Sequence, residues 1–169
     1  MIPYLLLLIF VSVTAYIGRL SRHRAIRRAS LLVVGIALIL FAGLRDSSVG
    51  TDTSNYVHIF TRADWFESVI TGDLEFGYSL LNWAIRSLTD SYAVLLVAIA
   101  MIVVFCYMRT IVKLVPRYET AVYLFVTLGA YTFFFNGARQ GIAAAICFVG
   151  LRFLLERRWK PYLALVIVA

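Results

Sequence analysis

Two arginines with polar partners at fixed spacing are the side chains here whose types suit a reaction on an anion. Arg45 follows an uncharged run, and Gly50-Thr51-Asp52 and Ser54-Asn55-Tyr56 come directly after it. A second polar cluster, Asn136-Gly137-Ala138-Arg139-Gln140-Gly141, closes another uncharged run. A guanidinium binds phosphate oxygens bidentately, so two of them at one membrane depth suit a diphosphate. The plain alternative is that both snorkel to lipid headgroups or pair with Asp46, Asp52 or Glu75. Thr51 or Asp52 has a bland reading too, as the cap of a helix over 54–61. Gly137 and Gly141 form a GxxxG that Ala143, Ala144 and Ala145 continue, which is a close-packing signal for helices. Packing alone requires neither Arg139 nor Gln140, and a buried cation is costly unless it meets an anion.

Other chemistries find no footing. The chain lacks a phosphate-cradling GxxxxGK, a GxGxxG and an HExxH. His23 and His58 are assigned to opposite faces of the membrane, so they form no metal pair and support no Ser-His-Asp set. Cys106 and Cys147 sit inside apolar runs and read as small apolar side chains. Neither metal nor cofactor is expected.

The elements that must position these residues are set by composition. Of 169 residues, 62% are apolar and 15% charged, with a mean hydropathy of +0.88. Soluble domains carry about 45–50% apolar and about 25% charged residues, so the lipid bilayer is the principal solvent and a nucleic-acid-binding role is excluded. Uncharged or nearly uncharged runs predict spans at about 2–18, 29–44, 91–108, 120–138 and 140–155. The nine apolar residues 161–169 are too short to cross and read as a sixth helix cut short, so the chain reads as one truncated transmembrane domain, 1–169. The first run lacks the basic start of a signal peptide and reads as a retained helix. Twelve of the sixteen Lys and Arg fall on one side of this layout, in 19–28, 109–117 and 152–160, while seven of the nine acids fall on the other. That asymmetry places the N-terminus outside and turns the net charge of +7 into a matter of orientation. The polar segment 45–90 is then the long outer loop. Within it, 76–88 has polar residues at helical spacing (Glu75, Ser79, Asn82, Arg86) and reads as an amphipathic helix lying on the outer surface or against the bundle. The expected fold is an all-α, multi-pass transmembrane helical bundle.

In order along the chain stand Arg45…Val49-Gly50-Thr51-Asp52…Asn55-Tyr56…Phe60, Glu75-Phe76-Gly77-Tyr78…Leu81-Asn82 and Asn136…Arg139-Gln140…Ala143-Ala144. Together they resemble the EpsG-like family of multi-pass bacterial exopolysaccharide polymerases, which are similar in role to the Wzy O-antigen polymerases. The resemblance covers most of the chain and looks like the N-terminal part of such a protein. It implies polymerisation of polyprenyl-diphosphate-linked glycan repeat units at the outer face of the cytoplasmic membrane. The implied partners are the polyprenyl-diphosphate-linked oligosaccharide, the bilayer and other polysaccharide assembly proteins. On that reading Arg45 and Arg139 hold the diphosphate, and Asp52 or Glu75 accepts or orients the acceptor hydroxyl. A carboxylate beside a low-dielectric surface has its pKa raised, which suits a base. Tyr56, Asn136 and Gln140 then bind sugar or phosphate oxygens, while Trp65 and Phe66 in loop 57–74 stack on a sugar or anchor at the interface. The competing classes are a flippase for the same lipid-linked glycan and a non-catalytic assembly subunit. A flippase calls for polar residues along the span centres, which are almost uniformly apolar.

Overall fold

A computed structural model describes residues 2–62 and 75–169, so Trp65 and Phe66 lie outside the described residues. Among the described residues there are helices and no strands. They are α1 (Ile2–Leu20), α2 (Arg24–Gly43), α3 (Thr53–Arg62), α4 (Phe76–Arg86), α5 (Tyr92–Leu114), α6 (Tyr118–Thr127), α7 (Ala130–Asn136), α8 (Ala138–Leu155) and α9 (Trp159–Val168). Four of these, α1, α2, α5 and α8, are long and apolar enough to cross a membrane.

Helix α5 is the central rod. Half of its most apolar window is buried, against about a fifth in each of the other three. Helix α2 packs on one side of it and α8 on another, α1 leans on α2 and α6, and α9 folds back on α8. Val34 and Leu38 of α2 and Leu95, Ile99 and Val103 of α5 are fully or almost fully buried, while Leu6, Ile9, Leu32, Ile36, Met101 and Phe105 face outward. In lipid, helices associate through close packing and polar contacts, because apolar surface gains little by leaving hydrocarbon. Gly43 shows how close: a Cβ there would stand 2.7 Å from the Cα of Val97. At the far end, the buried carboxylate of Glu119 pairs with Arg19 and ties the end of α1 to the start of α6.

The helices outrun the uncharged runs. Helix α2 begins at Arg24 rather than 29, and α5 continues through Arg109 and Lys113 to Leu114. A charge marks where hydrocarbon stops and does not itself end a helix, since Lys and Arg are good helix formers.

The run 120–138, expected as one span, is instead two short helices, α6 and α7. Gly129 takes φ +80°, a left-handed conformation that glycine adopts without steric cost, and α7 starts at the next residue. The second segment is held by its aromatics. Tyr131 and Phe134 are fully buried, and the Tyr131 hydroxyl donates to the Leu38 carbonyl at 2.7 Å. A second break at Gly137 separates α7 from α8. Breaks of this kind inside apolar segments recur where membrane proteins build binding sites.

Candidate functional site

The site grows from the Gly137 break. Asn136 ends α7, and its Oδ1 accepts the backbone N–H of Thr51 at 2.9 Å. The Thr53 hydroxyl, wholly buried at the start of α3, lies 2.7 Å from the Val49 carbonyl and 3.1 Å from the Phe135 carbonyl, with one proton to share between them. Gly50 makes this approach possible. Its φ is +95°, and a Cβ there would stand 2.7 Å from the Phe135 carbonyl oxygen. One turn into α3, the Tyr56 hydroxyl accepts the backbone N–H of Ala138, the first residue of α8, at 3.1 Å. Its own proton stays available for an incoming oxygen.

Arg45 lies at the floor. It is 8% exposed, and its Nη1 donates to the Ala42 carbonyl at 2.7 Å and its Nε to Thr53 Oγ1 at 3.3 Å. The guanidinium covers the Phe135 ring, 4.4 Å from the centroid. Burial pushes its pKa down to about 10, so it remains a cation. Only Nη2 is without a partner. Two of the three guanidinium nitrogens therefore hold the ends of α2, α3 and α7 together, and one is left over.

Arg139, in the first turn of α8, is about one third exposed and pairs with Glu75, Nη1 to Oε2 at 2.6 Å. The Tyr56 phenol lies within electrostatic reach of the same guanidinium. Glu75 is itself the N-cap residue of α4. Partial burial pushes its carboxyl up, but a backbone N–H and the Arg139 guanidinium outweigh that and hold it below its ordinary value. This runs against the raised pKa expected for a base; of the readings open to Arg139, the pairing with Glu75 is the one present at rest. Asp52 is exposed; its carbonyl accepts the N–H of Tyr56, and its carboxylate has no hydrogen-bond partner among the described residues. Gln140 is exposed, one residue beyond Arg139.

The three sequence clusters thus meet. The contacts Thr51–Asn136, Tyr56–Ala138 and Glu75–Arg139 bring the N-terminal ends of α3, α8 and α4 to one place. Helix N-termini carry unsatisfied N–H groups and partial positive charge, so the arrangement favours an anion before any arginine is counted.

Helix α4 differs from expectation in which face it buries. Ser79 and Asn82 are fully buried and Tyr78 nearly so, whereas Phe76, Leu80 and Trp83 are exposed. The buried face is mixed: Ser79 and Asn82 from the middle of the polar stripe are buried together with Tyr78 and Ile85, while Glu75 at the stripe's end stays exposed. Tyr78 stacks edge-on against Tyr56, with centroids 5.8 Å apart, and burial raises the pKa of its phenol far above the ordinary value, so it stays neutral. Tyr78 Oη, Ser79 Oγ and Asn82 Oδ1 are buried without hydrogen-bond partners. Sequence reading missed Thr53, Phe135, Tyr78 and Asn82 as site-builders. For Tyr78 and Asn82 the available signals were the polar spacing of α4, which left its placement open between the outer surface and the bundle, and the motif Glu75-Phe76-Gly77-Tyr78…Leu81-Asn82.

Gly141 serves packing, though within a hairpin rather than between long rods. A Cβ there would collide with Cβ of Phe134, so α7 and α8 meet at that point.

The model of the EpsG family matches residues 28–169, which is most of the chain. The chain belongs to the EpsG family. EpsG proteins have a polysaccharide polymerase-like role, and this member is a membrane protein of polysaccharide biosynthesis. No curated protein and no solved structure matches the chain. The matched region holds all of the site described above, from Arg45 to Gln140.

Proposed function

We propose that this chain polymerises polyprenyl-diphosphate-linked glycan repeat units at the outer face of the bacterial cytoplasmic membrane. The observation that carries the reading is the convergence of three helix N-termini beside Arg139, at a break between two helices. The charge asymmetry of the loops supports an orientation with the N-terminus and segment 45–90 outside. The bilayer and the lipid-linked oligosaccharide are then the partners, with other assembly proteins alongside.

In this reading Arg139 leaves Glu75 and takes the diphosphate, aided by Gln140, Asn136 and the free proton of Tyr56. Arg45 adds positive potential from below and one unpartnered nitrogen. The acceptor hydroxyl oxygen attacks the anomeric carbon, the bond from that carbon to the diphosphate oxygen breaks, and the electron pair leaves with the diphosphate. Preformed donors around that oxygen stabilise the growing charge. The acceptor proton passes to a carboxylate. Asp52 has a free carboxylate at rest, and Glu75 becomes free when Arg139 moves to the diphosphate. The donor is already activated by its diphosphate, so a nucleotide is not needed.

The test is reconstitution of the protein in vesicles with the lipid-linked repeat unit and separation of the products by length. A ladder of extended chains supports the reading. Repeat units that change leaflet without joining would assign a flippase instead.

A further inference from the structure

A second charged site lies at the other end of α8, about 20 Å along its axis from Arg139. A cavity of about 460 Å³ opens there between α5 and α8. From α5 come Arg109 and Lys113, one turn apart, with Phe105 one turn before. From α8 come Val149, Arg152 and Glu156, again at turn spacing, so each helix gives the cavity a single face. The only carboxylate in the lining, Glu156, sits 3.6 Å from Arg158. Among the described residues Arg109, Lys113 and Arg152 have no carboxylate partner. Arg152 lies with its Cζ 4.4 Å from the Phe153 ring centroid, and its Nε is buried without a partner.

Helix C-termini draw cations, and both helices end here. That accounts for basic residues in the last turns. It does not account for a cavity between them, or for a guanidinium edge left unpaired beside it. Three cations over apolar walls match a phosphate that carries a hydrocarbon tail, and basic pockets between spanning helices bind such headgroups. We propose that this cavity binds the phosphate of an anionic membrane lipid, in the leaflet opposite the Arg139 site.

The experiment is lipid retention by the intact protein. Protein exchanged into vesicles of equal parts phosphatidylcholine and phosphatidylglycerol is re-extracted, and bound lipid is counted by native mass spectrometry. The wild type retains phosphatidylglycerol in preference to phosphatidylcholine. The Arg109→Gln, Lys113→Gln, Arg152→Gln variant retains at least about tenfold less, since each cation near anionic lipid is worth about fivefold. Val149→Trp lowers retention with the charge unchanged, because it fills the cavity, and Lys113→Gln alone, on an exposed side chain, gives a smaller loss. Arg22→Gln, Arg24→Gln, Arg28→Gln removes as much charge from an exposed stretch and leaves retention intact. Equal loss in that control, or equal retention of phosphatidylcholine, overturns the proposal. Displacement of the lipid by inorganic phosphate alone assigns the site to a soluble anion and overturns the lipid reading.

Discussion

Arg139 Nη1 and Glu75 Oε2 stand 2.6 Å apart, although 64 residues separate them in the chain. The pair joins the first turn of α8 to the cap of α4, and it sets the resting state of the site. Nη1 is engaged by Glu75 while Nε has no partner, and in the proposed reaction the diphosphate competes with Glu75 for this guanidinium.

Arg139→Lys keeps the charge and loses the planar fork. Chain extension by reconstituted protein is expected to fall about 10²–10³-fold, the cost of losing an aligned donor to developing negative charge. Protein levels should not change. Unaltered polymer yield and length would remove Arg139 from the diphosphate-binding role.

Acid should loosen the same pair. The Glu75 carboxyl is held below its ordinary value of 4.5. Its contribution to stability is therefore fully present above about pH 4.5 and is lost as pH falls through the lower folded value. The side chain is 62% exposed, so the contribution is small, on the order of 1 kcal/mol or less. Glu75→Gln should melt slightly below the wild type at neutral pH and converge with it in acid. A gap that widens in acid would contradict the assignment.

Gly50→Ala meets two obstacles, a φ of +95° and a carbonyl oxygen 2.7 Å from the new Cβ. A non-glycine residue in that backbone region costs of order 1–3 kcal/mol before the clash is added. Thermal unfolding in detergent should shift down by several degrees, and substrate protection should weaken because α3 is pushed from α7. The same change at Gly77, where a Cβ meets nothing within 4 Å, provides the control.

Tyr56→Phe removes the acceptor for the Ala138 N–H, at a ring that is 4% exposed. A buried N–H without a partner costs about 1–3 kcal/mol. The variant should be less stable, and it should extend chains more slowly because the start of α8 carries Arg139. Preserved stability with lowered activity would leave Tyr56 its proposed contact with the substrate and remove its role in holding α8.

Much of the membrane architecture was legible in the sequence, for a physical reason. A bilayer demands long apolar helices, and four of them are present near the runs counted from charge alone. The grouping of Arg45, Gly50, Tyr56, Glu75, Asn136 and Arg139 was legible as an order of motifs, and the contacts between the three segments are what the fold adds. Three things were hidden. The break at Gly129 carries no polar signal, since glycine in an apolar run serves helix packing as readily as a turn. The burial of Ser79 and Asn82 on α4 was hidden because amphipathicity gives a stripe but not its direction. For Arg45 the spacing allowed a diphosphate fork, headgroup snorkelling or a carboxylate pair, and in the fold Ala42 and Thr53 occupy two of its nitrogens instead.

The outward edge of α4 has a practical consequence. Phe76, Leu80 and Trp83 stand exposed on it, while Tyr78, Ser79, Asn82 and Ile85 are buried against the rest of the protein. Purification therefore calls for a detergent able to cover that apolar edge as well as the spanning helices.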